Sequence, residues 1–251
     1  MMIHRIIQAI NPGHPFRWSR CLIGLLLLSL CLFHQTEAAE KVKVGLEPIA
    51  VISTKDGSRL YVLNRFGFSV SVIKVDTREV LGVLPVGSSP RALVLSPDER
   101  TLYAVNYNPG ATGNSVTAID TESLLTKATI GVGVAPVAAA ITPDGKWLYV
   151  ANLGHDSVSV IDTASNKAVA TTKVGHRPRV VAVTPDGRRV YIVNSEGSSV
   201  SVLSTDSNQV TARSSELPAA SLSVTRDDSD SGAPGSSSPS FSSLGRITAR
   251  Q

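Results

Sequence analysis

Few side chains in this sequence can do chemistry. Of the five histidines, His4, His14 and His34 precede residue 39, which leaves His155 and His176. Two imidazoles fall short of the three or four ligands that a metal site normally uses, and no H-x-x-x-H pair accompanies them. Both cysteines, Cys21 and Cys31, lie in the same N-terminal stretch. Beyond it no disulfide, thiolate metal site or c-type haem attachment is available. No nucleophile–base pair, carboxylate dyad or cofactor fingerprint is legible, so neither a metal nor a cofactor is expected. Arg91 and Arg179 stand out instead. Each follows a proline, Pro90 or Pro178, at the opening of one of several similar segments. Guanidiniums at equivalent positions attract an anion or an acidic partner. The candidate ligand-binding residues are therefore Arg91, Arg179, His155 and His176, with no catalytic set.

The elements that must hold these residues are short. Between Val134 and Gly175 four apolar runs alternate with turn chemistry. Val137 to Thr142 ends at Pro143-Asp144-Gly145, where glycine supplies the positive φ of a tight hairpin. Trp147 to Ala151 closes at Asn152 and Gly154. Ser157 to Ile161 stops at Asp162-Thr163, an Asx turn. Lys167 to Val174 is the last run. Runs of this length with Gly, Pro, Asn and Asp between them read as antiparallel strands joined by hairpins.

The pattern recurs. Pro48, Pro90, Pro136 and Pro178 open successive units 42, 46 and 42 residues apart, and Tyr61, Tyr103, Tyr149 and Tyr191 keep those spacings. Asn64, Asn106, Asn152 and Asn194 each follow three residues later, and are expected to satisfy turn backbone. The turn reappears at Lys55-Asp56-Gly57, Pro97-Asp98-Glu99 and Pro185-Asp186-Gly187. Four additional residues in the second unit fall within Asn108–Gly113, a loop insertion of the kind repeats tolerate. The segments YVLN, YAVN, YVAN and YIVN resemble the YVTN-family β-propeller repeat, over roughly Lys41 to Pro218. That resemblance implies an all-β propeller of four-stranded blades, about four of them visible and the ring incomplete. It also implies a surface-layer or periplasmic setting and a relation to the propeller of haem-containing nitrite reductase. The fold hosts many activities, so it does not by itself fix one.

Residues 1–38 read as a secretory leader: Arg5, Arg17 and Arg20, then the uncharged run Cys21 to Phe33, then Thr36-Glu37-Ala38 before a cut. The run is shorter than the ~20 residues a membrane helix needs, so no stable membrane span is expected after cleavage. Without Arg5, Arg17, Arg20 and Glu37 the net charge falls from +4 to +2, which gives no argument for nucleic acid. Lys41 to Gly45 aligns with the outermost strand of a unit. Ser221 to Thr225 could start a further blade, but no Tyr-x-x-Asn follows, and residues 219–251 have the composition of a disordered Ser-rich tail.

The reading is a non-enzymatic, periplasmic, secreted or cell-surface binding or scaffold protein. It uses the loop face of its blades for a protein, glycan or small anionic ligand. Two alternatives stay open: a propeller enzyme, lactonase-like or redox, and a truncated, non-functional copy. Strand order places Glu47, Arg65, Phe66, Phe68, Tyr107, Asp156, Arg177 and Glu196 on that same face. Exposed ends of an unclosed arc would favour self-association.

Overall fold

The computed structural model describes residues 41–108 and 114–213. The segment expected to be a leader, the tip of the second unit's loop and the Ser-rich C-terminal segment lie outside them. The described chain is all strand and turn, in four units. Blade 1 holds β1 (Pro48–Ser53), β2 (Arg59–Asn64), β3 (Ser69–Lys74) and β4 (Glu79–Pro85). Blade 2 holds β5 (Pro90–Leu95), β6 (Thr101–Asn106), β7 (Ser115–Asp120) and β8 (Thr126–Gly131). Blade 3 holds β9 (Pro136–Ile141), β10 (Trp147–Asn152), β11 (Ser157–Asp162) and β12 (Lys167–Lys173). Blade 4 holds β13 (Pro178–Val183), β14 (Arg189–Asn194), β15 (Ser199–Ser204) and β16 (Val210–Arg213). Each unit is its own antiparallel sheet with its strands in chain order.

The opening proline shapes each blade. Pro48 pairs with Asn64 and Ala50 with Leu63, so one residue bulges between them. The same shift follows Pro90, Pro136 and Pro178. Proline has no N–H for the ladder, and a bulge at the strand start accommodates it. At the far end of the inner strands, Gly57, Gly145 and Gly187 have φ near +70°. Glu99 occupies the fourth such turn at φ 61°. In each turn the Asp carboxylate accepts from a nearby hydroxyl, as Asp144 does from Thr142, and from a backbone N–H, as Asp144 does from Lys146 at 3.0 Å.

The recurring asparagines do something other than the expected turn bonding. Each is buried, and its Nδ2 donates to two hydroxyls on the third strand of its blade. The partners are Ser69 and Ser71 for Asn64, Ser115 and Thr117 for Asn106, Ser157 and Ser159 for Asn152, and Ser199 and Ser201 for Asn194. The S-x-S spacing puts both hydroxyls on one strand face, which is why the amide turns inward. A glycine of the preceding link lies against each amide. A Cβ added to Gly133 would sit 2.6 Å from Asn152, and one added to Gly175 would sit 2.5 Å from Asn194.

Both faces of the inner blades are covered. The tyrosine face of one blade meets the leucine–valine face of the next: Tyr61 and Leu63 against Leu102 and Ala104, Tyr103 and Val105 against Leu148 and Val150, Tyr149 and Ala151 against Val190 and Ile192. The inner strands meet in the series β1–β5–β9–β13, and no comparable contact returns from β13 to β1. The four blades form an open arc. Residues 41–45 pair in no ladder; the outer strand expected there is one whose partners lie outside the four described blades. That strand type pairs with a third strand, and each third strand among the described residues already has its own fourth.

Candidate functional site

Two features build the face that carries the loops between second and third strands. The link entering each blade crosses the end of its second strand, and one backbone bond ties the two. Arg65 N donates to Glu47 O at 2.8 Å, Tyr107 N to Ser89 O at 3.4 Å, Leu153 N to Ala135 O at 2.9 Å and Ser195 N to Arg177 O at 3.0 Å. Glu47, Ser89, Ala135 and Arg177 all take positive φ, from 41° to 55°. Non-glycine residues rarely adopt that region. Of these four, Glu47 is exposed, Ser89 and Arg177 are half-buried and Ala135 is buried.

On blades 1 and 2 this produces an arginine–aromatic cluster. The Arg65 guanidinium lies 5.2 Å from the Phe66 ring centre and the Arg91 guanidinium 4.8 Å from that of Tyr107. Arg65 Nη1 lies 3.4 Å from Glu47 Oε1. Burial, and then the charge of Arg65, push the Arg91 pKa down, with Tyr107 and Glu47 opposing. Both Nε atoms are buried without a hydrogen-bond partner. Two partly desolvated guanidiniums thus lie close together, and Arg65 pairs with the Glu47 carboxylate. Leu46, Phe66 and Phe68 lie exposed beside them.

On blades 3 and 4 the cluster is polar. Asp156 accepts the Arg177 backbone N–H at 2.9 Å, and its other oxygen lies 2.9 Å from His176 Nδ1. The Arg177 N–H, and then His176, hold the Asp156 carboxyl below its ordinary range. Arg177 Nε stands 3.0 Å from Glu196 Oε1, an ion pair without hydrogen-bond alignment. Arg179 Nε donates to Ser195 Oγ at 3.2 Å, and Lys173 Nζ donates to the His155 carbonyl at 2.8 Å.

The four candidates therefore part company. Arg91 and Arg179 are the second residues of β5 and β13, equivalent in sequence but separated by blade 3. Arg91 is stacked and half-buried, whereas Arg179 is exposed. His155 and His176 are both exposed, and His176 is tied to Asp156 rather than to His155. Among the described residues no group of three His, Cys, Asp or Glu side chains converges as a metal site would. The partners Arg65, Tyr107 and Asp156 stood on the predicted face. Their roles depend on a link running beside a loop of its own blade or of the blade before it, which no local spacing encodes. The opposite face has two grooves of about 340 and 500 Å³ between blades 2 and 3 and blades 3 and 4. Their Asp98, Asp144 and Asp186 are engaged in their own turns.

Comparison with known proteins bears on the fold, and the family match on less than half of the chain. The family described as lactonase, 7-bladed beta-propeller, matches residues 107–221. The chain is also similar to the solved structure of Kuenenia stuttgartiensis hydrazine synthase. The identity is 31%, the TM-score 0.62, and 70% of this chain and 51% of that one are covered. The fold is a β-propeller. This propeller chain spans about half the length of that structural relative. No curated protein sequence matches it. Among the described residues no helix is long and apolar enough to cross a membrane.

Proposed function

We propose that this propeller is an extracytoplasmic binding module whose loop face over blades 1 and 2 takes an acidic segment of a partner protein. The carrying observation is the Arg65–Arg91 pair: two neighbouring guanidiniums, Arg65 paired with Glu47, each over an aromatic ring, with Leu46, Phe66 and Phe68 exposed alongside. Arginine and aromatic side chains dominate interface energetics. An incoming carboxylate offsets a positive charge that the fold has already partly desolvated. The leader-like N-terminus supports export. Isothermal titration of the full chain with an oligoglutamate peptide tests the reading. Binding that weakens with salt and is lost in Arg91→Ala is expected, while Arg91→Lys keeps only part of it. Absence of binding, or binding indifferent to Arg91, refutes it.

A second reading is lactone hydrolysis, favoured by the lactonase family match and by the Asp156–His176 pair. A carboxylate that fixes an imidazole is the orienting half of a general base, and the exposed His176 ring has room for a water and an ester carbonyl. Lactone turnover abolished by His176→Ala would establish it. Turnover unaffected by His176→Ala would remove His176 from that role.

A further inference from the structure

The two ends of the arc are mates. At each internal junction a tyrosine face closes on a leucine–valine face, and both are dry: Leu63, Val105 and Ala151 are 0% exposed, as are Leu102, Leu148 and Val190. Blade 4 carries the same tyrosine face through Tyr191, Val193 and Val200, with no described blade beyond it. Val193, the equivalent of Leu63, is 41% exposed. Blade 1 carries the receiving face through Val51, Leu60 and Val62, and Val51 is 63% exposed.

A second, independent feature is unfilled at the same two ends. The hairpin turns stack from blade to blade, proline on glycine. A Cβ on Gly145 would meet Pro97 at 3.4 Å, and one on Gly187 would meet Pro143 at 3.4 Å. Gly57, at the start of the series, has nothing within 4 Å of that point. Pro185, at its end, has no following glycine turn to stack on among the described residues.

We propose that these ends pair between copies of this chain, the tyrosine face of blade 4 in one copy covering the valine face of blade 1 in the next. At all three internal junctions the tyrosine face takes the opposite kind and never its own. The occupant of one open end is therefore a face of the type at the other, and a second copy supplies both. Such a contact is head-to-tail, so it closes into a ring or continues as a filament. Two copies of four sheets bring eight blades, at the upper end of the roughly four to eight that closed propellers hold. This inference does not rest on the loop-face function.

Size exclusion with light scattering on the full chain, with Val51→Lys and Val193→Lys variants, tests it. Both positions already face water in the single chain, so lysine there leaves the blades folded, which circular dichroism verifies. The parent is expected at twice the single-chain mass or more, and each variant alone at the single-chain mass. A mixture of the two variants should regain a two-chain species, because one junction between them keeps both native faces. A parent at single-chain mass overturns the proposal. So does Val51→Lys remaining associated, the mark of like faces pairing. A mixture that stays as single chains overturns it as well.

Discussion

Replacing Gly133 by alanine isolates the contact on which the blade links turn. The new Cβ would lie 2.6 Å from Cγ and Nδ2 of Asn152 and 3.0 Å from its Cβ. Asn152 has no free direction of retreat. It is 0% exposed, its Nδ2 holds Ser157 and Ser159, and Gly133 N itself donates to Ser159 Oγ at 3.2 Å. Overpacking of this kind costs about 1–3 kcal/mol. Displacing the amide sacrifices bonds worth about 1 kcal/mol each and leaves buried hydroxyls unpaired. A loss of about 3–5 kcal/mol follows, a large part of the roughly 5–15 kcal/mol that holds a domain together. At about 2–4 °C per kcal/mol for a domain of this size, Tm should fall by about 10 °C. Gly131→Ala is the control, since nothing lies within 4 Å of its added Cβ. It should shift stability by no more than about 0.5 kcal/mol. Asn152→Ala makes room, so the double variant should cost less than the two singles added, by about 1 kcal/mol or more. A Gly133→Ala cost under about 1 kcal/mol in denaturant melts, or strict additivity with Asn152→Ala, refutes the reasoning.

Acid should destabilise the arc in a defined window. The Thr54 hydroxyl first, and Ser58 with it, hold Asp56 at about 2 against an ordinary 3.8, while the Ser123 backbone N–H does most to hold Asp120 at about 2. Depressed folded-state values mean that this contribution is complete above about pH 5 and is lost as pH falls toward 2. Urea midpoints flat across that window, or unchanged in slope by Asp56→Asn with Asp120→Asn, would contradict it. At the alkaline end, burial pushes the Tyr149 hydroxyl up to about 12, and it donates to Asn208 Oδ1 at 2.6 Å. Stability from its neutral form is whole below pH 10 and drains away as pH rises toward 12. Tyr149→Phe should cost about 1–2 kcal/mol at neutral pH and lessen the alkaline loss; spectrophotometric titration showing Tyr149 ionising near 10 would refute the assignment. Asp156→Asn keeps an acceptor for the Arg177 N–H and removes only an exposed ion pair, worth about 0–1 kcal/mol. Asp156→Ala loses both and leaves alanine at φ 49°, so it should cost clearly more; equal costs would show that charge, not the link bond, matters.

The sequence revealed the fold more fully than the site because the two use different kinds of information. Strand, turn and repeat are local. Val137 to Ile141, the Asp144-Gly145 turn and the Tyr149–Asn152 spacing each specify a few neighbouring residues, and copying them along the chain specifies the sheets. The inward turn of Asn152 was missed although its partners Ser157 and Ser159 were in plain view. The S-x-S spacing is the signal that could have found it, since it matches two donors on one amide nitrogen. The loop-face clusters depend on contacts between segments distant in sequence. Arg91 meets Tyr107 only because β5 begins where the second-to-third loop of its own blade returns, and His176 meets Asp156 only because the link into blade 4 runs beside a loop of blade 3. Position in the repeat identified the arginines and histidines but not their partners.

The four link crossings share one backbone arrangement and differ in what they carry. Glu47 with Arg65, Ser89 with Tyr107, Ala135 with Leu153, and Arg177 with Ser195 are joined by the same N–H to carbonyl bond. The link residue takes positive φ each time, whether it is Glu, Ser, Ala or Arg. The same main-chain arrangement therefore accepts different side chains at these eight positions. What they carry is uneven: charge at blades 1 and 4, an aromatic ring at blade 2, apolar groups at blade 3. The shared main-chain bond gives no structural reason for Arg65 to lie beside Arg91 over Phe66 and Tyr107, with both Nε atoms buried and without a hydrogen-bond partner. The proposed acidic partner would offset the cost of that burial, which is why the loop face over blades 1 and 2 is the surface on which the proposal is tested.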